Sequence, residues 1–140
     1  HSPADVIRRL IISLGLGLDP PSTPWPVFAS GEPDTPDSAI TVYDTLGRIN
    51  GRTQTDGETQ EHHGIQVRVR AAAHTAGYTK ARAIAVSFDK DAYQESVTIG
   101  STAYLIHAIT RTGDVLALGK DPATKRSLFT INAIAMIRQL

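Results

Sequence analysis

Two adjacent histidines, His62 and His63, stand close to Glu58 and Glu61, and imidazole beside carboxylate is a donor set for a transition metal. Their spacing argues against one. Consecutive residues of a strand point to opposite faces, whereas metal-binding pairs stand two apart on a strand or four apart on a helix, so ordinary loop histidines are expected. Gly113 and Gly119-Lys120-Asp121 have the outline of a phosphate-binding loop, but the glycine spacing is one residue too long and no hydroxyl follows the lysine. No helix is expected behind this segment to offer free amides, so it reads as a solvated turn. Asp34, Asp37, Asp44 and Asp56 could supply an acid and a base, yet no Gly-x-Ser-x-Gly elbow or other motif places them. Carboxylates beside Pro and Gly are ordinarily turn and cap residues. The chain is therefore read as no enzyme, with no catalytic residue, metal or cofactor.

The cations pose a different question. Arg68 and Arg70 share one face of an alternating segment, and Lys120, Lys125 and Arg126 cluster on one loop. Together they could meet phosphates. Fourteen basic and fourteen acidic side chains cancel to zero formal charge, however, and aromatics make up 6% of the chain, so a field and a stacking platform for nucleic acid are both lacking. A solvated face or a salt-bridged subunit contact is the stronger reading of these residues. Trp25, set among prolines, is either a plug under a connector or an anchor for a partner. Arg68, Arg70, Lys120, Lys125, Arg126 and Trp25 form the candidate interface or channel set.

The elements that must position these residues follow from pattern. At 140 residues the chain suits one core, and a single domain over residues 1–140 is expected. Without cysteine there is no disulfide framework, and a reducing compartment fits. The start at His1 reads as processed or trimmed, and no secretory leader is expected there. No apolar run approaches the roughly 20 residues that a bilayer requires, so no membrane partner is expected. Ser2-Pro3-Ala4-Asp5 opens a helix over residues 3–14, with Val6, Ile7, Leu10, Ile11 and Leu14 on one face and Gly15 and Gly17 after it. Pro20, Pro21, Pro24 and Pro26 then enforce an irregular connector that ends in a short strand at residues 27–29.

A strand follows over residues 39–44, entered through Pro33 and Pro36. Residues 45–62 hold almost nothing apolar and read as a long exposed loop or extended hairpin arm. Residues 65–70 alternate Ile, Val and Val with Gln, Arg and Arg: one face for the core and one for solvent or a partner. Tyr78, Ala81, Ala85, Phe88 and Ala92 recur at helical steps, and strands are expected at residues 96–99, 103–109 and 128–138, with a second exposed loop over residues 119–126. The fold class is α+β. Its sheet is mixed and mainly antiparallel, of five to six strands, with two helices packed on one face in the order α-β-β-β-α-β-β-β.

Five landmarks in order carry a family resemblance. The helix Asp5-Val6-Ile7, closing in Leu14-Gly15-Leu16-Gly17, precedes Pro33-Asp34-Thr35-Pro36-Asp37-Ser38-Ala39-Ile40-Thr41-Val42-Tyr43-Asp44-Thr45-Leu46-Gly47; the strand from Ile65 to Arg70, the helix opening at Tyr78 and Leu118-Gly119-Lys120-Asp121 come later. This order, over about residues 3 to 137, resembles the minor capsid or tail-terminator family of tailed bacteriophages. The connector at residues 19–26 and residues 47–63 depart from the family pattern. The resemblance implies a structural protein, without catalytic residues, that forms a ring, usually of six copies, on the head-proximal end of a long non-contractile tail. Its implied partners are copies of itself, the tail tube protein, the head-tail connector or stopper protein, and genomic DNA passing through the channel without sequence readout. Its implied location is the neck of the virion, after assembly in the host cytoplasm. A head-completion or stopper role is the neighbouring alternative; a small ligand-binding or hydrolytic domain is the alternative of another class.

Overall fold

The computed structural model describes residues 1–48, 61–122 and 124–140. Helix α1 (Pro3–Ser13) starts where Ser2 and Asp5 exchange bonds: the Asp5 N–H donates to Ser2 Oγ at 3.3 Å, and the Ser2 N–H donates to the Asp5 carboxylate at 3.2 Å. A second carboxylate closes the same end, Asp44 Oδ1 accepting from the Ala4 N–H at 2.9 Å. Both acids face the positive pole of the helix, which explains their placement without any catalytic role. Ala4, Val6, Ile7, Leu10 and Ile11 form the buried stripe.

Among the described residues seven strands follow or interleave: β1 (Val27–Ala29), β2 (Ala39–Arg48), β3 (Glu61–Ala71), β4 (Tyr93–Ile99), β5 (Thr102–Arg111), β6 (Leu116–Lys120) and β7 (Ser127–Gln139), with α2 (His74–Lys90) between β3 and β4. The sheet order is β1-β2-β3-β7-β5-β4, and β6 pairs β7. Among the described residues only the β1–β2 ladder is parallel, with Val27 opposite Ile40. The α+β class and the mainly antiparallel sheet expected from the sequence are what the chain forms.

One face of the sheet carries the core. Ile40 and Val42, then Ile65, Val67 and Val69, then Phe129, Ile131, Ala133, Ala135 and Ile137 bury with Ile106, Ile109 and Val97 in one cluster that includes both helices. Helix α1 covers β1 to β4, while α2 packs on β3, β5 and β7. Their closeness depends on Gly77: a Cβ there would lie 2.6 Å from the Phe129 ring.

Several boundaries differ from the sequence pattern. Helix α2 begins at His74 instead of Tyr78, because the His74 ring packs edge-on against Phe129, 5.2 Å between centroids, and so draws in a turn that lacks apolar periodicity. The first and last few residues of the expected arm at 45–62 belong to β2 and β3, where Thr45 pairs Gly64 and Arg48 pairs His62; residues 49–60 lie outside the described residues. The second expected loop also shrinks. Gly119 and Lys120 end a strand, β6, that the sequence pattern omits, and Arg126 is 8% exposed.

Candidate assembly surface

The alternation of β3 sends Gln66, Arg68 and Arg70 to the face opposite the core, and the register arranges that outer face in rows. Thr41, Arg68, Thr130 and Leu116 lie side by side across β2, β3, β7 and β6. The next row is Ala39, Arg70, Leu128 and Gly119. The arginines are not open to solvent as the pattern alone allows, for the connector between β1 and β2 crosses over them.

Arg70, 5% exposed, donates from Nη2 to the Pro36 carbonyl at 2.6 Å and from Nε to the Asp37 carbonyl at 3.2 Å. Arg126 donates from Nη1 to the Asp34 carbonyl at 2.6 Å. Carboxylates add to these bonds: Glu32 lies 3.6 Å from Arg68 and 3.9 Å from Arg70, and Asp37 lies 3.5 Å from Arg126. Burial, then repulsion from Arg126, pulls the Arg70 guanidinium below its ordinary pKa, against the attraction of Glu32, Asp37 and Asp34. Arg68 also lies over the Tyr43 ring at 5.6 Å, whose hydroxyl is pushed up by burial and by Glu32. Three of the candidate cations, Arg68, Arg70 and Arg126, are thus engaged within the chain.

Trp25 is half-buried against the core with a left-handed backbone, φ 60°. The Lys80 ammonium lies 5.5 Å over its ring and donates to the Leu16 carbonyl at 2.9 Å, fastening the connector to α2. Burial lowers the Lys80 pKa. His62 and His63 take alternate positions along β3, opposite Met136 and Ala135.

The remaining cations lie at the free end of β6. Lys120 ends that strand and Lys125 occupies the turn after it, both exposed, the Lys125 N–H donating to the Asp121 carbonyl at 2.6 Å. All five residues of β6 are exposed, Leu116 by 52% and Leu118 by 51%. The strand pairs β7 on one side, and among the described residues no strand pairs its other side. These leucines are the site residues that sequence reasoning missed; Leu-x-Leu after the Gly113 turn was the available signal. The turn before β6 is tied to α2, since Arg111 donates to Asp89 at 2.7 and 3.0 Å and approaches Asp114 at 3.6 Å. The Arg111 bond holds the Asp89 carboxyl below its usual pKa and raises the Arg111 guanidinium in turn.

An exposed edge strand that carries two half-exposed leucines is the kind of surface that natural proteins cover. Residues 10–123 match the family described as bacteriophage tail terminator protein. The chain belongs to this family. It is a structural protein of the phage tail, and the family is not enzymatic. No curated protein matches the chain. Among the described residues of this tail terminator, no helix is long and apolar enough to cross a membrane.

Proposed function

We propose that the chain closes into a ring on the head-proximal end of the tail tube, ends tube polymerisation there and presents its far face to the head connector. The observation that carries this reading beyond the family match is β6, a short edge strand with two half-exposed leucines and an unpaired side among the described residues. Natural proteins cover such edges, and head-to-tail contact between identical copies covers every edge once a ring closes. Covering the exposed halves of the two leucines contributes roughly 2 kcal/mol per copy. Growth ends because one ring face matches the tube while the other lacks the surface that would start another ring. The ring is hexameric and sits in the neck of the virion. Genomic DNA crosses its channel without sequence readout, in keeping with zero net charge.

The test is light scattering behind size-exclusion chromatography, with electron microscopy of the protein alone and mixed with polymerising tube protein. The expected outcome is a ring and a fixed stop to tube growth. A chain that stays monomeric at high concentration and leaves tube lengths unchanged overturns the proposal.

A further inference from the structure

Strands β5 and β6 both pair β7 on the side away from β3, β5 with residues 133–139 and β6 with residues 127–130. Strand β6 therefore continues the line of β5. Strand β4 runs beside β5 from Ala108 to Thr102, and among the described residues no strand carries on in that lane beside β6. Leu116, Ala117 and Leu118, the residues before Gly119 at the bulge, thus have one side of their main chain paired with β7 and one side open.

Strand β4 has an open side of its own. It is the last strand in the sheet order, and it turns into β5 through two residues, Gly100-Ser101, with Gly100 left-handed at φ 61°. The pair that closes such a turn, here Ile99 and Thr102, exchanges main-chain hydrogen bonds, and every second pair after it does the same. Val97 and Glu95 therefore bond β5, whereas the N–H and C=O groups of Ser96 and Thr98 point away from it. The Ser96 and Thr98 side chains are exposed, and Val97 is the one buried residue of the strand, joining the core cluster through which α1 reaches β4. The other end of the sheet is closed: on β1 the Val27 N–H donates to the Leu18 carbonyl at 2.9 Å, and the Val27 carbonyl accepts from Arg8 Nε at 2.8 Å. Charge separates the two open edges. Residues 91–110 carry Asp91 and Glu95 and no lysine or arginine, while Lys120 and Lys125 are exposed at the end of β6.

We propose that in the assembled ring β6 of each copy adds, antiparallel, to the open edge of β4 in the next copy, Leu116 to Leu118 bonding the main chain of Ser96 to Thr98 and Lys120 coming toward Glu95. This rests on the ring reading above. Because β4 and β6 are different patches, the contact is head-to-tail and closes when repeated around an axis, whereas β6 on β6 would end at a dimer. Main-chain bonds make the join, and the opposite charges set its direction.

The chain has no cysteine, so single reporters are unambiguous. One batch carries Ser96→Cys and another Lys120→Cys, both at exposed positions. The two are mixed, assembled and treated with a short bis-maleimide, and linked pairs are sorted by mass. Pairs made of one copy of each kind are expected. Pairs confined to one kind, or rings that yield no linked pair, overturn the β6–β4 contact and leave the ring reading standing. A mixture that light scattering finds monomeric throughout removes both. A second comparison tests the main chain itself: Ser96→Pro deletes one outward N–H at an edge position, where proline is tolerated, and Ser96→Ala keeps it. The proline variant is expected to remain folded as dilute monomer and to need roughly tenfold more protein for ring formation, while the alanine variant assembles as wild type does. Proline rings that form at the wild-type concentration overturn the proposal.

Discussion

Arg68 and Arg70 are two positions apart on one strand face, yet their surroundings give them different weight. Arg70 is 5% exposed and donates two hydrogen bonds to carbonyls, whereas the Arg68 side chain is 32% exposed and meets Glu32 only at 3.6 Å. Removing a charged donor from part-buried carbonyls costs about 1.5 to 3 kcal/mol, while an open ion pair contributes under about 1 kcal/mol. Arg70→Ala is accordingly expected to shift the urea midpoint strongly and Arg68→Ala weakly, in the isolated chain at unchanged slope. Asp89 offers a test in pH. Its carboxyl is held below the ordinary value by the Arg111 bond, so the fold favours its ionised form. That stabilisation is complete above the ordinary aspartate pKa and is lost as pH falls through the lower folded value. Its size is modest because the Asp89 side chain is 43% exposed. Asp89→Asn is expected to flatten the acid limb of a stability-against-pH curve while leaving its alkaline limb unchanged; an unaltered acid limb counts against the Arg111 bond as the cause.

At the scale of elements, a close packing requirement holds between α2 and β7. Gly77 meets the Phe129 ring and the Ala71 Cβ, at 2.6 and 3.0 Å from where its own Cβ would be. Gly77→Ala gains helix propensity but overpacks this contact, and a net loss of about 1 to 3 kcal/mol in chemical denaturation is the expected result. Elements with strong periodicity are legible in the amino-acid pattern alone: α1 from its capping box and stripe, β3 from Ile65, Val67 and Val69, β7 from its alternating apolar positions. Helix α2 starts earlier than its pattern because a ring contact with distant Phe129 decides where its first turn forms. Strand β6 is not legible in this way, because five exposed residues ending in a bulge at Gly119, φ 87°, carry no buried alternation. The six candidate residues are legible by type but not by surroundings. Whether Arg70 faces solvent depends on a connector that reaches it from 33 positions away, and local pattern holds no record of that path.

The whole molecule combines zero formal charge with one short strand of exposed leucines, and this combination decides what kind of association it favours. A zero net charge gives little long-range steering, so contact between copies in the proposed ring would rest on short-range burial and should respond little to salt. Leu116 and Leu118 are each about half exposed, so replacing both with serine removes little from the isolated chain. At an interface the same change forfeits roughly 2 kcal/mol per contact, on the order of a 30-fold loss in affinity between neighbours. A closed ring contains one such contact for every copy, so the loss compounds around it. Leu116→Ser with Leu118→Ser is therefore expected to leave the melting temperature of dilute monomer nearly unchanged and to move ring formation to much higher protein concentration, read by sedimentation velocity across a dilution series. Wild-type rings should persist over the same series when salt is raised. If the double variant assembles at the wild-type concentration, β6 is not the edge through which the copies meet.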